Sequence, residues 1–285
     1  MSATPVFATT REKAEYFQAL HRSGCFIVPN PWDAGSARIM AHAGAVALAT
    51  TGAGCAFARG LPDHALSPDQ LFDAVADIVQ ASPLPVTVDL EDGFHVEPEH
   101  VAESIRRVAA LGAVGASIED KPRTARAGQY PVAFAAARVQ AAAEAARALP
   151  HPFVLTARAE NFFGGAPDLD DTILRLQAYQ AAGADVLFAP GLQTAQQVAT
   201  VISAVARPLN VLAGVKDSAL DYASLAALGV RRISVGGALQ RLALSVVHDA
   251  VGQMLREGRF DCANRAISGA RLNELFASGA PDAAR

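Results

Sequence analysis

The sequence predicts a (β/α)8 TIM-type barrel with an N-terminal helix and a C-terminal helical extension, and three observations carry that prediction. Short β-type apolar runs alternate with helix-type stretches eight times between residues 25 and 255, which is the rhythm of such a barrel. Glycine recurs where helical stretches meet the next strand, in His42-Ala43-Gly44-Ala45, Leu111-Gly112-Ala113, Ala182-Gly183-Ala184 and Leu228-Gly229-Val230. A glycine there can take the left-handed conformation that closes a helix. Acidic residues gather at the exits of two successive runs: Asp89, Glu91 and Asp92 close PVTVDLED, while Glu119 and Asp120 close GASIED. A doubly wound open sheet would instead want a GxGxxG turn after the first strand, and none follows Pro29.

In chain order, a helix is expected near residues 9–22. The strands follow at CFIVP (25–29), AVALATT (45–51), PVTVDL (85–90), GASIED (115–120), FVLTARA (153–159), DVLFAP (185–190), PLNVLAG (208–214) and RRISVGG (231–237). Residues 1–285 read as a single domain, with 256–285 as the helical extension. A net charge of −4 with both signs interspersed gives no basic stripe for nucleic acid and no polybasic or amphipathic segment for a membrane surface. No apolar run approaches a membrane span, and MSATPVFATTREKAEYF lacks the apolar core of a signal peptide, so a cytoplasmic location is expected. Cys25, Cys55 and Cys262 are widely spaced and read as free thiols.

The chemistry concentrates at strand ends. A strand buried on both faces should stay apolar to its end, so carboxylates at the exit face solvent, an ion or a substrate. Asp89 and Glu91 are two apart and share a side while the chain stays extended; Glu119 comes from the next strand. Such a cluster repels itself unless a divalent cation compensates it, and oxygen-only ligands favour Mg2+, with Mn2+ as the alternative. The bland reading is solvated acids paired with Lys121, Arg123 or Arg126; it is preferred for Asp92, and the metal site for Asp89 and Glu119.

Arg158, at the end of the fifth run, can present its fork to a carboxylate or phosphoryl oxygen, or can form a structural ion pair with Glu119 or Glu160. Thr50, Thr51 and Gly52 open a small-residue loop whose backbone N–H groups can approach an anion. The next loop, Arg59 to His64, puts Asp63 and His64 where lids and catalytic groups are often carried. His64, His95 and His100 are candidate acid/base groups, with the surface the expected place for the last two. Only Lys13, Lys121 and Lys216 are lysines; Lys121 and Lys216 each follow a strand on the catalytic face, unless they are scattered there by chance.

Taken in order, VPNPWDAGSARIM, the Gly-rich end of strand two, GLPD, VDLEDG, SIED and TARAE resemble the isocitrate lyase and phosphoenolpyruvate mutase superfamily from about residue 25 to residue 255. The resemblance implies a magnesium-binding barrel that handles a small 2-oxo acid or its enolate. It further implies that Asp89 and Glu119 are metal-shell acids, with Glu91 standing where the family usually has an aspartate. Arg158 would bind substrate, Asp63 would be the acid of a mobile loop, and Thr50, Thr51 and Gly52 would form the carboxylate-binding turn. Homodimers or homotetramers are implied as well, often with C-terminal helices exchanged.

Departures narrow the reaction. The Lys-Cys-Gly-His loop of isocitrate-type lyases is replaced by Lys121-Pro122-Arg123-Thr124-Ala125-Arg126, without a cysteine, so true isocitrate cleavage is not expected. Phosphonopyruvate enzymes place an asparagine or threonine in this loop, with a spacing that Thr124 does not reproduce. Pro190-Gly191 stands in place of a Pro-Glu pair, and Leu212-Ala213-Gly214 stands where a polar residue such as asparagine is expected. The expected activity is Mg-dependent cleavage or rearrangement of a C–C or P–C bond beside a 2-oxo acid or phosphonate, through a pyruvate-type enolate. Lys121 would assist the departing charge. Two alternatives stay open: a metal-independent Schiff-base aldolase using Lys216, and a barrel that binds a 2-oxo acid without turning it over.

Overall fold

A computed structural model describes residues 6–123, 128–164, 167–214 and 220–277. Eight parallel strands form one sheet in the order β1-β8-β7-β6-β5-β4-β3-β2. They are β1 (Phe26–Val28), β2 (Leu48–Ala49), β3 (Val86–Asp89), β4 (Gly115–Glu119), β5 (Val154–Arg158), β6 (Val186–Phe188), β7 (Leu209–Leu212) and β8 (Arg232–Ser234). The Ala49 N–H donates to the Pro29 carbonyl at 3.1 Å and joins β2 to β1, closing the barrel. The fold is therefore the expected one, with each strand shorter than its apolar run. Leu48–Ala49 is the extreme case, with a helix starting at Gly52.

Helices fill the spaces between strands. They are α1 (Thr10–Leu20), α2 (Ala34–His42), α3 (Gly52–Ala58), α4 (Pro68–Ala81), α5 (Pro98–Ala110), α6 (Val132–Arg147), α7 (Asn161–Gly164), α8 (Leu169–Ala181), α9 (Ala195–Ala204), α10 (Tyr222–Ala227), α11 (Ala238–Glu257) and α12 (Gly269–Ala277). Side-chain caps fix several starts: Asp33 accepts the Ser36 N–H before α2, and Ser67 accepts the Gln70 N–H before α4. The recurring glycines behave as expected, with φ of +98° at Gly44, +94° at Gly112, +107° at Gly183 and +93° at Gly229. Gly115 in β4 is required by close approach, since a Cβ there would lie 2.7 Å from the Val154 carbonyl oxygen.

Two apolar clusters build the molecule. The larger one packs the outer faces of the strands against the helices. The smaller joins Phe26, Ala47, Val114, Val154 and Val186, all at strand starts, to Ala14 and Phe17 of α1, so that α1 stoppers the N-terminal end of the barrel. The extension divides in two. Along α11 only Gln240 is buried, whereas α12 packs on α2 of the same chain, where the Arg38 guanidinium donates to the Phe276 carbonyl.

His21, just past α1, is buried against Phe17 and Phe26 and bonds through Nδ1 to the Phe17 carbonyl at 2.8 Å. Burial, then the positive charge of Arg232, push its pKa down to about 3, against the opposing pull of that hydrogen bond. A base with a depressed folded pKa contributes stability that is complete above its unfolded value of 6.5 and is lost as pH falls toward about 3. Lowering the pH from about 6.5 to about 5 should therefore remove about 2 kcal/mol through this residue. Urea unfolding of the wild type and His21→Phe at both pH values checks it: the variant should lose correspondingly less, and equal losses would remove His21 as the cause.

Candidate active site

The C-terminal strand ends surround a cavity of about 420 Å³ whose wall includes Thr50, Thr51, Asp63, His64, Asp89, Glu91, Glu119, Lys121, Arg158 and Glu160. This is the face on which barrel enzymes build their sites. Arg158 organises it. Its Nη1 donates to Asp89 Oδ1 at 2.9 Å, its Nη2 lies 3.2 Å from Glu119 Oε2 and 2.7 Å from Glu160 Oε1, and its Nε donates to Glu160 at 2.9 Å. The structure shows the ion-pair reading of Arg158, with Glu119 and Glu160 and with Asp89 besides, and places the guanidinium on the cavity wall. Burial works against its charge, but Glu160, Glu119 and Asp89 overcome that and hold it protonated. Burial also raises Glu119 well above the usual carboxylate range, opposed by Arg158 and reinforced by Glu160, Asp89 and Glu91. Glu160 is raised as well, first by burial.

Glu91 sits differently from the extended geometry expected of it. The strand ends at Asp89, and Glu91 takes a left-handed φ of +51°, yet its side chain still lines the cavity. Its Oε2 lies 3.1 Å from His64 Nδ1 and 2.5 Å from Arg123 Nε, while Oε1 is buried without a hydrogen-bond partner among the described residues. That bare oxygen faces Gly52, where a Cβ would lie 2.5 Å from it. Glycine is needed at position 52 for this approach. The hydrogen bond to Glu91 is the main cause raising the His64 pKa, against burial, with Asp63 and Asp89 also raising it.

The Asp63 loop is clasped over the site. Arg123 Nη2 donates to the His64 and Leu66 carbonyls at 2.7 and 2.6 Å, and its guanidinium stacks 4.2 Å from the Phe94 ring centroid. Asp92 corrects the expectation of a solvated acid. It is buried and accepts the N–H groups of Phe94 and Arg123 at 3.0 Å each, because the chain after β3 turns inward instead of running out to solvent. Asp120 likewise points away from the cavity, accepting from Tyr179 at 2.6 Å, from Arg175 at 3.1 Å and from the Glu160 N–H at 2.9 Å.

The turn at 50–52 is largely occupied by the protein itself. Thr50 Oγ1 accepts the Asp89 N–H at 2.9 Å, Thr51 caps α3 by accepting the Gly54 N–H, and the Gly52 N–H donates to Asp89 Oδ2 at 3.1 Å. His95 and His100 are exposed, as expected. Thr124, Arg126 and Lys216 lie outside the described residues.

Several wall residues escaped sequence reasoning. Asn30 ties three strand ends together, donating to the Thr50 carbonyl and accepting the Val235 and Gly236 N–H groups. Asn210, Arg232 and Ser234 line the cavity from β7 and β8, and their signal was a polar side chain inside an otherwise apolar run.

The arrangement can hold a cation. Asp89, Glu91, Glu119 and Glu160 outnumber the guanidinium groups of Arg158 and Arg123 that face them, and Glu91 Oε1 is unsatisfied. A hard divalent ion fits this oxygen-rich set. Among the described residues, Asp63, His64 and Glu91 also place one ligand atom each within 4.8 Å of one another.

A closed parallel barrel with carboxylates gathered around one arginine at its C-terminal mouth defines the class, and sequence comparison supplies the family. Residues 17–255 match the profile of the phosphoenolpyruvate phosphomutase family. An oxaloacetate decarboxylase of Paraburkholderia xenovorans (strain LB400) is 31% identical over 257 residues, covering 87% of this chain and 84% of its own. The crystal structure of a Burkholderia cenocepacia J2315 protein, provisionally described as a lyase/mutase, has 51% identity and a TM-score of 0.92, over 94% of this chain and 97% of that one. Oxaloacetate acetylhydrolase in complex with oxalate, at 24% identity, shares the fold with a TM-score of 0.85 over 94% of this chain and 95% of its own. The chain belongs to the phosphoenolpyruvate phosphomutase family, within the isocitrate lyase and phosphoenolpyruvate mutase superfamily.

The Asp120 network generates a prediction of its own. Asp120→Ala would strip a buried arginine and a buried tyrosine of their shared acceptor, so denaturant unfolding should register a loss of about 3 kcal/mol. A change below about 1 kcal/mol would mean that Asp171 alone satisfies Arg175.

Proposed function

We propose that this protein is a Mg-dependent lyase that breaks a C–C bond beside the carbonyl of a small 2-oxo acid, or of a hydroxy acid that yields one. The observation that carries the reading is Arg158 held among Asp89, Glu119 and Glu160 on the wall of the strand-end cavity. Its relatives support the substrate class, since the 31% identical protein is an oxaloacetate decarboxylase.

Asp89, Glu91 and Glu119 would hold Mg2+, and Mn2+ would substitute. Asp63 and His64 suit magnesium less, because Asp63 is exposed and an imidazole is a softer donor; Glu91 belongs to either set. The ion, when bound, supplies Lewis-acid stabilisation of oxyanion charge. Arg158 does the same from a fixed position, and a preorganised charge of this kind needs no reorganisation as the enolate forms. As the C–C bond breaks, its electron pair would pass into the enolate while the other fragment leaves as CO2 or a neutral carbonyl compound, and the enolate would then take a solvent-derived proton at carbon. Thr50, Thr51 and Gly52 set the position of Asp89 and the adjoining turn. Lys121 would balance the departing group's charge, and the clasped Asp63 loop would exclude water. The exposed Leu242, Val246, Val247 and Leu255 of α11 support a homo-oligomer, to be read by light scattering. No described helix is long and apolar enough to cross a membrane.

An NMR product screen with Mg2+ against oxaloacetate, methylisocitrate, substituted malates and phosphonopyruvate, each repeated with EDTA and without protein, tests the reading. A product from a C–C substrate that disappears with EDTA is expected, and Asp89→Asn should lower kcat by at least about 100-fold. Product from phosphonopyruvate alone would shift the assignment to P–C chemistry, and EDTA-resistant turnover trapped by borohydride would shift it to Lys216. Gly52→Ala should weaken Mg2+ binding by at least about tenfold in calorimetry, by displacing Glu91; unchanged affinity would take Glu91 out of the ion's surroundings.

A further inference from the structure

The lower wall of the cavity carries a charge that the reading above does not use. Arg232, at the start of β8, is only 4% exposed, yet it contributes to the same cavity as Asp89 and Arg158. Its Nε donates to Asn210 Oδ1 at 2.9 Å and its Nη2 to Thr156 Oγ1 at 2.9 Å. Both acceptors are neutral. Nη1 has no hydrogen-bond partner, and no carboxylate pairs with the guanidinium among the described residues.

Barrel interiors are usually filled by branched apolar side chains, and a buried cation without a counter-charge is costly. Here the interior at this depth is polar: Thr87, Ser117, Asn210 and Ser234 line the cavity with Arg232, and Asn210 Nδ2 donates to Ser234 Oγ at 3.0 Å. Burial pushes the Arg232 pKa down to about 9, still leaving it charged at neutral pH. Its field also reaches His21 beneath the barrel, which that charge helps to keep neutral. The missing partner is an anion.

We propose that Arg232 is the centre of a second carboxylate-binding subsite at the floor of the cavity, which selects substrates carrying a carboxylate in addition to the one handled at the mouth. Thr156, which holds Arg232, precedes Arg158 by two residues on β5, so the floor and the mouth share one face of that strand, with backbone positions about 6.6 Å apart. A carboxylate held here is one the substrate keeps: losing it as CO2 would remove the charge that Arg232 grips, so ground state would be favoured over transition state.

This inference rests on the proposed 2-oxo acid site only for the word substrate, and its test is binding, not turnover. With Mg2+ present, calorimetry should find that wild-type protein binds succinate at least about tenfold more tightly than butyrate, which has the same chain with one carboxylate fewer. Arg232→Gln should bring that ratio below about threefold, and Arg232→Lys should retain part of it. Thr156→Val, which removes one acceptor without changing shape, should lower the ratio and decides the matter if Arg232→Gln does not fold. A merely structural cross-link would lower the unfolding midpoint and leave the ratio unchanged. An unchanged ratio in the folded variants overturns the proposal, as does the absence of any preference in the wild type. Stabilisation of the wild type by chloride or inorganic phosphate equal to that by succinate would also overturn it, since the floor would then hold an inorganic anion. A chain that selects succinate through Arg232 but turns over nothing would sink the lyase reading and leave this one standing.

Discussion

The position of Arg158 governs the mouth of this barrel. Three carboxylates from three strand ends converge on its guanidinium, and each is buried or nearly so. Without it, Asp89, Glu119 and Glu160 would face one another in a poorly hydrated wall, where like charges a few ångströms apart repel by several kcal/mol. With it the cluster is ordered but not neutral, because Glu91 adds a fourth carboxylate that Arg123 engages only through one oxygen. Burial is the first cause of the raised Glu119, and the neighbouring carboxylates Glu160, Asp89 and Glu91 add to it. A site built this way keeps an excess of carboxylate oxygens around its two guanidinium groups.

The backbone around the site is held in conformations that L-residues rarely adopt. His64, Glu91 and Phe94 all have positive φ, at +62°, +51° and +65°. Such strain persists only where surrounding contacts over-determine it, and it tends to cluster at functional sites. The restraints here can be named. The Glu119 N–H donates to the Glu91 carbonyl at 2.8 Å, the Phe94 ring lies under the Arg123 guanidinium, and His64 is held from both ends by Arg123 and Glu91. Arg123 is common to all three segments. It therefore ties the loop carrying Asp63 to the turn carrying Glu91.

The fold was legible because it rests on periodicity and on glycine. Eight apolar runs became eight strands, and the four glycines read as helix stops have left-handed backbones. Asp89, Glu91, Glu119 and Arg158 were legible as residues of the strand-end cavity, since charge at the end of a buried strand has to face solvent, an ion or a ligand. What was not legible depended on where chains turn. Asp92 reads like its neighbours in sequence but folds inward to accept backbone donors, and Asp120 follows Glu119 directly yet faces the opposite way, toward Tyr179 and Arg175. Alternation along a strand separates adjacent acids by face, and which face is the cavity is decided by barrel closure. Arg232 was hidden by its neighbour: in RRISVGG two arginines open an apolar run, and only the structure separates Arg231, which bonds outward to the Gly24 carbonyl, from Arg232 in the interior.

Read from bottom to top, the interior has a vertical order of chemistry. Phe17, Phe26, Val154 and Val186 seal the N-terminal end with apolar surface, and His21 beside them stays neutral. Above this plug stands Arg232 among neutral acceptors, then the carboxylates gathered by Arg158, then the Asp63 loop clasped by Arg123. Positive and negative layers placed this way, with the cation below and the carboxylates above, give the cavity a direction. An anion entering from the mouth meets a wall rich in carboxylates, with Lys121 among them. Once inside, an anionic group finds at the floor a buried guanidinium that no carboxylate pairs with among the described residues. The same low-dielectric surroundings that make Arg232 costly to bury make its attraction for an anion strong, which is why a cation kept in that position implies a ligand rather than a fault in packing.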